Sequence, residues 1–192
     1  FAARFNIEAR VRSEVERVNP EKKTIMVHNL ALGGLYEETY DKLILSPGAA
    51  PVRPPLEGID MEGIFTMRNV NDTDRVKEYI EEHDVKRALI VGAGFIGLEM
   101  AENLHESGIQ VSVVEMADQV MTPVDYEIAT VIHQHFKSKN VGLHLQEAVI
   151  AFRPAEDGID VVLKSGLVLR VDIVLLSIGV RPDVKLAREA GL

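Results

Sequence analysis

Three glycines and one acid hold the spacing with the most chemical content in this chain. Gly92, Gly94 and Gly97 form a Gly-x-Gly-x-x-Gly pattern, and Glu115 follows eighteen residues after the last of them. The apolar run Ala88-Leu89-Ile90-Val91 precedes the pattern and Leu98-Glu99-Met100-Ala101-Glu102-Asn103-Leu104 reads as a helix behind it. A strand, a tight turn and a helix therefore carry the glycines, the setting in which they bind a dinucleotide. Gly92 permits the turn, Gly94 lets a pyrophosphate approach the backbone, and Gly97 lets the helix lie close to the strand. The phosphate charge then faces unpaired amide donors at a helix N-terminus. Glu115 ends a second strand, Gln110-Val111-Ser112-Val113-Val114, where a carboxylate accepts hydrogen bonds from the adenosine ribose hydroxyls of NAD. A 2′-phosphate there would meet like charge, at about 1 kcal/mol in water and about 4 at an effective dielectric near 20. Met116-Ala117-Asp118-Gln119 supplies no Arg or Lys to neutralise it, so NADH is expected over NADPH.

Around these residues the sequence lays out alternating elements. Residues 7–18 alternate in polarity like a half-buried strand, Asn19-Pro20-Glu21-Lys22 turns, and residues 23–29 return. Residues 36–45 run through Leu43-Ile44-Leu45 as a strand into Ser46-Pro47-Gly48-Ala49, and Pro51-Val52-Arg53-Pro54-Pro55 reads as an extended connector. Asn71-Asp72 is placed to cap a helix over 73–82. A further helix spans 125–139, with Ile128, Val131, Ile132 and Phe136 on its apolar face. Short strands follow at 142–145, 148–152, 159–163 and 168–171, and a buried one runs from Asp172 to Ile178, ending at Gly179. Strand–helix–strand–helix–strand, interrupted by antiparallel strands and closed by a last parallel strand, predicts an α/β fold: a Rossmann-like NAD(P)-binding domain with a parallel sheet and an antiparallel β-meander.

The bulk numbers narrow the function classes. The chain has 192 residues, 46% hydrophobic, enough for one large or two small domains. Thirty acidic against 21 basic side chains, a formal charge of −9, argue against nucleic acid or an anionic membrane surface as partner. No apolar stretch approaches the roughly 18–20 residues that span a bilayer, and cytoplasmic is the expected location. With no cysteine the chain offers no thiol or disulfide chemistry of its own. His133 and His135 lie two apart on a helix and point different ways, so no metal site is expected.

Three blocks carry a family resemblance: Tyr40-Asp41-Lys42-Leu43-Ile44-Leu45-Ser46-Pro47-Gly48-Ala49, then residues 91–101, then Asp172-Ile173-Val174-Leu175-Leu176-Ser177-Ile178-Gly179-Val180-Arg181-Pro182-Asp183. They resemble the FAD-dependent pyridine nucleotide–disulfide oxidoreductases. Residues 94–99 and 117–125 are similar to the branch of coenzyme A-disulfide reductases, NADH oxidases and persulfide reductases. The resemblance implies residues 1–68 as a partial FAD-domain segment of β-strands, 69–180 as the NAD domain, and 181–192 as the start of a return to the FAD domain. It also implies hydride transfer from NADH to FAD and on to a small disulfide or persulfide, in a homodimeric parent. The flavin glycine motif and redox cysteine of that family are not found in this sequence, so the expectation is a central, inactive piece of such an enzyme. Oxygen, peroxide or a ferredoxin-like carrier as acceptor stays open, as does a non-catalytic NADH-sensing module.

For single residues the resemblance implies the following. Phe95 stands where relatives place an aromatic that covers the flavin until nicotinamide displaces it, or it is a packed first-turn aromatic. Ile96 would contact nicotinamide or its ribose, or be ordinary core. Glu99 would accept from the carboxamide or pair with a lysine of the flavin domain, with a helix-dipole role as the competitor. Gly179, at the carboxyl edge of the sheet, makes room for the cofactor. Ser46, Pro47 and Gly48 would line the adenosine side of FAD as half of a site.

Overall fold

The computed structural model describes residues 2–192 and divides the chain into two compact units. One contains the residues up to Ala49 together with Pro182–Leu192, the other Ala50–Arg181.

In the first unit a short helix, α1 (Ala2–Phe5), precedes three antiparallel strands, β1 (Ser13–Asn19), β2 (Thr24–Asn29) and β3 (Leu35–Thr39), ordered β1-β2-β3. The first turn closes because Asn19 Oδ1 accepts the Lys22 N–H at 3.0 Å, and Lys23 takes φ +51°. Val18 and Val27 are buried between the strands, and α5 (Lys185–Glu189) packs on β1. Two expectations fail here. The strand foreseen over 7–18 begins only at Ser13, because Arg12 sits at φ +52° and breaks the extended run, leaving Ile7 and Val11 exposed. Residues 43–45 form no strand: among the described residues no neighbouring strand pairs with them, and Ile44 is 88% exposed. An apolar run becomes a strand only where another backbone completes its ladder.

The second unit is built in three layers. Its sheet has the order β5-β12-β6-β7-β8, all parallel: β5 (Ile64–Thr66), β12 (Ile173–Leu176), β6 (Arg87–Val91), β7 (Gln110–Glu115) and β8 (Gly142–Leu145). Helices α2 (Val70–Glu82), α3 (Phe95–Glu106) and α4 (Tyr126–Ser138) connect these strands. An antiparallel meander, β9 (Val149–Ala155), β10 (Gly158–Leu163) and β11 (Val168–Val171), is inserted before β12. β4 (Ala49–Pro51) and β13 (Val180–Pro182) form a short ladder of their own.

Strand alternation divides the core. Ala88, Ile90, Ile173 and Leu175 join Ala101, Leu104, Ala129 and Phe136 of the helices, whereas Leu89, Val91, Val174 and Leu176 join Phe152, Ile159, Val161 and Leu163 of the meander. The central strands are apolar on both faces because both are covered, as a parallel sheet requires.

Two helices differ in detail from the expectation. α2 is capped by Asn69, not by Asn71 or Asp72. The Asn69 side chain accepts the Asp72 N–H and Asp72 accepts the Asn69 N–H, a capping box whose third-position acid is an Asp. On α4 the buried residues are Ala129 and Phe136, with Ile132 partly buried, while Ile128 and Val131 are 57% and 66% exposed. The small Ala129, not the larger Ile128, meets the sheet.

At the amino ends of the strands Asp172 acts as a clasp. Its Oδ2 accepts the Lys86 and Arg87 N–H groups at 2.9 and 2.8 Å, and its Oδ1 accepts from the Arg87 guanidinium at 2.6 Å. Arg87 also donates to the Asp157 carbonyl at 2.9 Å, and the Tyr79 hydroxyl donates to the Asp172 carbonyl at 3.3 Å. The carboxylate holds the start of β6, the Arg87 guanidinium reaches on to the β9–β10 turn, and the Asp172 carbonyl receives α2. Burial pushes the Asp172 carboxyl up, but Arg87 and the two backbone donors together outweigh it and hold the group below the ordinary carboxylate range.

Candidate functional site

The opposite, carboxyl edge of the parallel sheet carries the glycine loop. Gly92 takes φ +100°, and a Cβ there would lie 2.5 Å from the Ser177 carbonyl oxygen. Only glycine meets both demands. A Cβ at Gly97 would run into the Gly92 carbonyl, so α3 reaches its close approach to β6 through that hydrogen atom. Gly94 is different in kind. It is the N-cap of α3 in extended conformation, and a Cβ built on it meets nothing within 4 Å. No side chain caps this helix, so the space over Gly94 opens onto the amide donors of its first turn.

Glu115 ends β7 beside that loop. Its Oε2 accepts the Ala93 N–H at 2.7 Å and its Oε1 accepts the Ala117 N–H at 2.9 Å. Each carboxylate oxygen retains a second acceptor position, so the group can take further donors. Met121 N–H donates to the Ala93 carbonyl at 2.9 Å, which fastens the loop after β7 to the glycine loop. A cavity of about 670 Å³ runs along this edge, with Gly92, Gly94, Glu115, Met116, Glu147 and Gly179 among its walls. Among the described residues no Lys or Arg lines it. Gly179 takes φ +104°, with open space where a Cβ would stand.

Gly92, Gly94, Glu115 and Gly179 thus surround one cavity, with Gly97 supporting it from beneath. Phe95 and Ile96 do not line it: they stand exposed on the first turn of α3, at 65% and 47%. Phe95 and Glu99 border a neighbouring groove of about 380 Å³ between α3 and α4. Glu99 is exposed and, among the described residues, makes no side-chain hydrogen bond or ion pair. Ser46, Pro47 and Gly48 belong to the first unit, where they line a pocket of about 340 Å³ with Pro182, Asp183 and Leu186.

The sequence pattern of the pyridine nucleotide-disulphide oxidoreductases matches residues 2–192. The chain belongs to that family. Its members are FAD- and NAD(H)-dependent oxidoreductases. A coenzyme A disulfide reductase of Staphylococcus haemolyticus is 33% identical over all 192 residues, which cover 42% of that relative. Among solved structures, the Bacillus anthracis CoADR-RHD in its reduced form is 49% identical with a TM-score of 0.93; the match covers all of this chain and 34% of that one. An NAD-dependent persulfide reductase from A. fulgidus is 32% identical with a TM-score of 0.90, again over all of this chain and 35% of the other. The chain therefore spans less than half the length of these relatives.

Several walls of the cavity in this pyridine nucleotide-disulphide oxidoreductase chain carry no sequence signal, Glu147, Met116 and Thr122 among them. Glu147 reaches it because its N–H donates to the Glu115 carbonyl at 3.0 Å, a contact between residues 32 positions apart that no local pattern announces. Met116 and Thr122 come from the loop after β7, whose course is set by tertiary bonds. No helix among the described residues is long and apolar enough to cross a membrane.

Proposed function

We propose that this chain binds NADH along the carboxyl edge of its parallel sheet. In the whole protein it would serve as the coenzyme part of an oxidoreductase passing hydride from NADH through FAD to a small disulfide or persulfide such as coenzyme A disulfide. The observation that carries the reading is the open space over Gly94 at an uncapped helix N-terminus, with Glu115 in the wall of the same cavity. The diphosphate would lie against the first-turn amides and the adenosine ribose against Glu115. A 2′-phosphate would face Glu115 and Glu147 with no cation on the cavity wall, which favours NADH over NADPH. Phe95, Ile96 and Glu99, exposed at the start of α3, stand ready for the nicotinamide end and the flavin that meets it.

On this reading residues 69–180 form the coenzyme domain, whose parallel sheet also takes in β5, and the rest of 1–68 with 181–192 belongs to the flavin domain. For FAD the chain offers Ser46, Pro47 and Gly48, with Gly48 at φ +83°; their pocket is a rim, completed by residues from elsewhere in the protein. FAD supplies the electron transfer chemistry when bound, and this chain's residues orient the donor. With only a rim of a flavin pocket, this chain takes up coenzyme and turns nothing over by itself on this reading. The names of the relatives support a disulfide or persulfide acceptor, and a homodimeric parent rests on the family resemblance alone.

Calorimetric titration with NADH and NADPH tests the site. NADH is expected to bind more tightly, and Gly94→Ala is expected to abolish that binding while keeping unfolding free energy within about 1 kcal/mol of the parent. Tighter binding of NADPH, or an alanine variant that binds as before, would refute the assignment.

A further inference from the structure

We propose that His133 is a positioning residue for the coenzyme cavity, acting through the loop between β7 and α4, and that its protonation weakens NADH binding. The inference rests on the coenzyme reading above and goes beyond the residues that line the cavity. His133 projects from the second turn of α4, and its Nε2 lies 3.2 Å from the backbone nitrogen of Val120. Val120 is fully buried, so its N–H has no recourse to water. An N–H can only donate; Nε2 must be the unprotonated nitrogen, which places the ring proton on Nδ1.

The bond matters because of what adjoins it. The residue after Val120 is Met121, whose N–H holds the Ala93 carbonyl at 2.9 Å. Ala93 lies between Gly92 and Gly94, and its own N–H is held by Glu115 at 2.7 Å. The same loop carries Met116 and Thr122 into the cavity wall. Gln119 braces it at the far side, its Nε2 donating to the Val124 carbonyl at 2.8 Å. His133 thus fixes the loop at the point where the loop grips the glycine turn.

A protonated imidazole has two N–H groups and no acceptor. Protonation therefore leaves the Val120 N–H orphaned in a dry site and turns one donor against another. The titratable and charged groups on the elements that meet here are Glu115, Asp118 and Asp125 on β7 and its loop, Tyr126, Glu127, His135 and Lys137 on α4, Glu99, Glu102, His105 and Glu106 on α3 across the groove, and His144 on β8. Among them Tyr126 stands edge-on to the His133 ring with centroids 6.3 Å apart, and both Glu115 oxygens are held by backbone N–H groups. No carboxylate among the described residues hydrogen-bonds His133, so none rewards the protonated form.

The test measures NADH affinity of the parent chain, His133→Ala and His133→Gln between about pH 8 and about pH 5.5, the range in which imidazoles change charge. Nitrogen-15 NMR of the imidazole reads the tautomer in the same samples. The parent is expected to show the Nδ1–H tautomer at the alkaline end and to lose about five- to tenfold in affinity on acidification. His133→Ala should bind at the weakened level throughout. Glutamine places an uncharged acceptor near Nε2, so His133→Gln should bind like the alkaline parent with a flat pH profile. An alanine variant that matches the parent at alkaline pH, a glutamine variant that keeps the parent's slope, or a protonated Nε2 at the alkaline end would each overturn the proposal. A parent chain that binds no NADH at any pH overturns the coenzyme reading and this proposal with it. That failure is recognised separately, because the tautomer is still read.

Discussion

A methyl group added at Gly97 has nowhere to go: the obstacle is a backbone carbonyl in the turn that α3 must pass, not a side chain able to swing aside. Gly97→Ala is therefore expected to destabilise the fold by about 1–3 kcal/mol, read as a lower urea midpoint, whereas Gly94→Ala should leave that midpoint almost in place. Equal effects at the two positions would contradict the division between a packing glycine and a cavity glycine. This division was legible from spacing alone, because the pattern assigns separate tasks to separate positions. The partners of Glu115 were not. That its oxygens hold Ala93 and Ala117 depends on how the turn after β6 folds back across β7, a tertiary fact.

At the level of elements, α4 shows where periodicity runs out. Ile128, Val131, Ile132 and Phe136 mark one broad apolar stripe, yet the sheet takes Ala129 and Phe136 and leaves Ile128 and Val131 exposed. A stripe that wide allows the helix to roll, and the close approach to the strands favours the small residue at the contact. Ile128→Thr or Val131→Thr should change unfolding free energy by no more than about 0.5 kcal/mol, while Phe136→Ala should cost about 3–5. Chemical denaturation of the three variants decides it, and a large loss at Ile128 would return the helix to the expected orientation. The bounds of β8 and β11 agree with those expected from sequence, β11 because Ser165-Gly166 turns the chain just before it. Residues 43–45 were misread for the opposite reason: their β-forming side chains say nothing about whether a partner strand lies alongside.

At the level of the whole molecule, the alternation of strands with helices was enough to foresee a parallel sheet with an antiparallel insertion, since few topologies join such elements without crossing. The clasp at Asp172 was invisible: Asp172 opens a block of the family resemblance, but Arg87 lies 85 residues before it and no spacing joins the two to Asp157. It has a pH signature. The folded-state pKa of Asp172 is lowered, so its stabilising contribution is fully present above the unfolded carboxylate value, about 3.9, and is lost as pH falls through the folded value. Asp172→Asn is expected to be less stable than the parent at pH 7, with the difference shrinking below about pH 4. Urea titrations at pH 7 and about pH 3 measure this, and a difference that does not change with pH would count against the clasp.

The clasp and the glycine turn lie at opposite ends of the same strands. Damage at the fastened end should thin the population of intact molecules without altering how firmly each survivor holds its guest. Durability and grip are then separate properties of one sheet, each adjustable from its own rim.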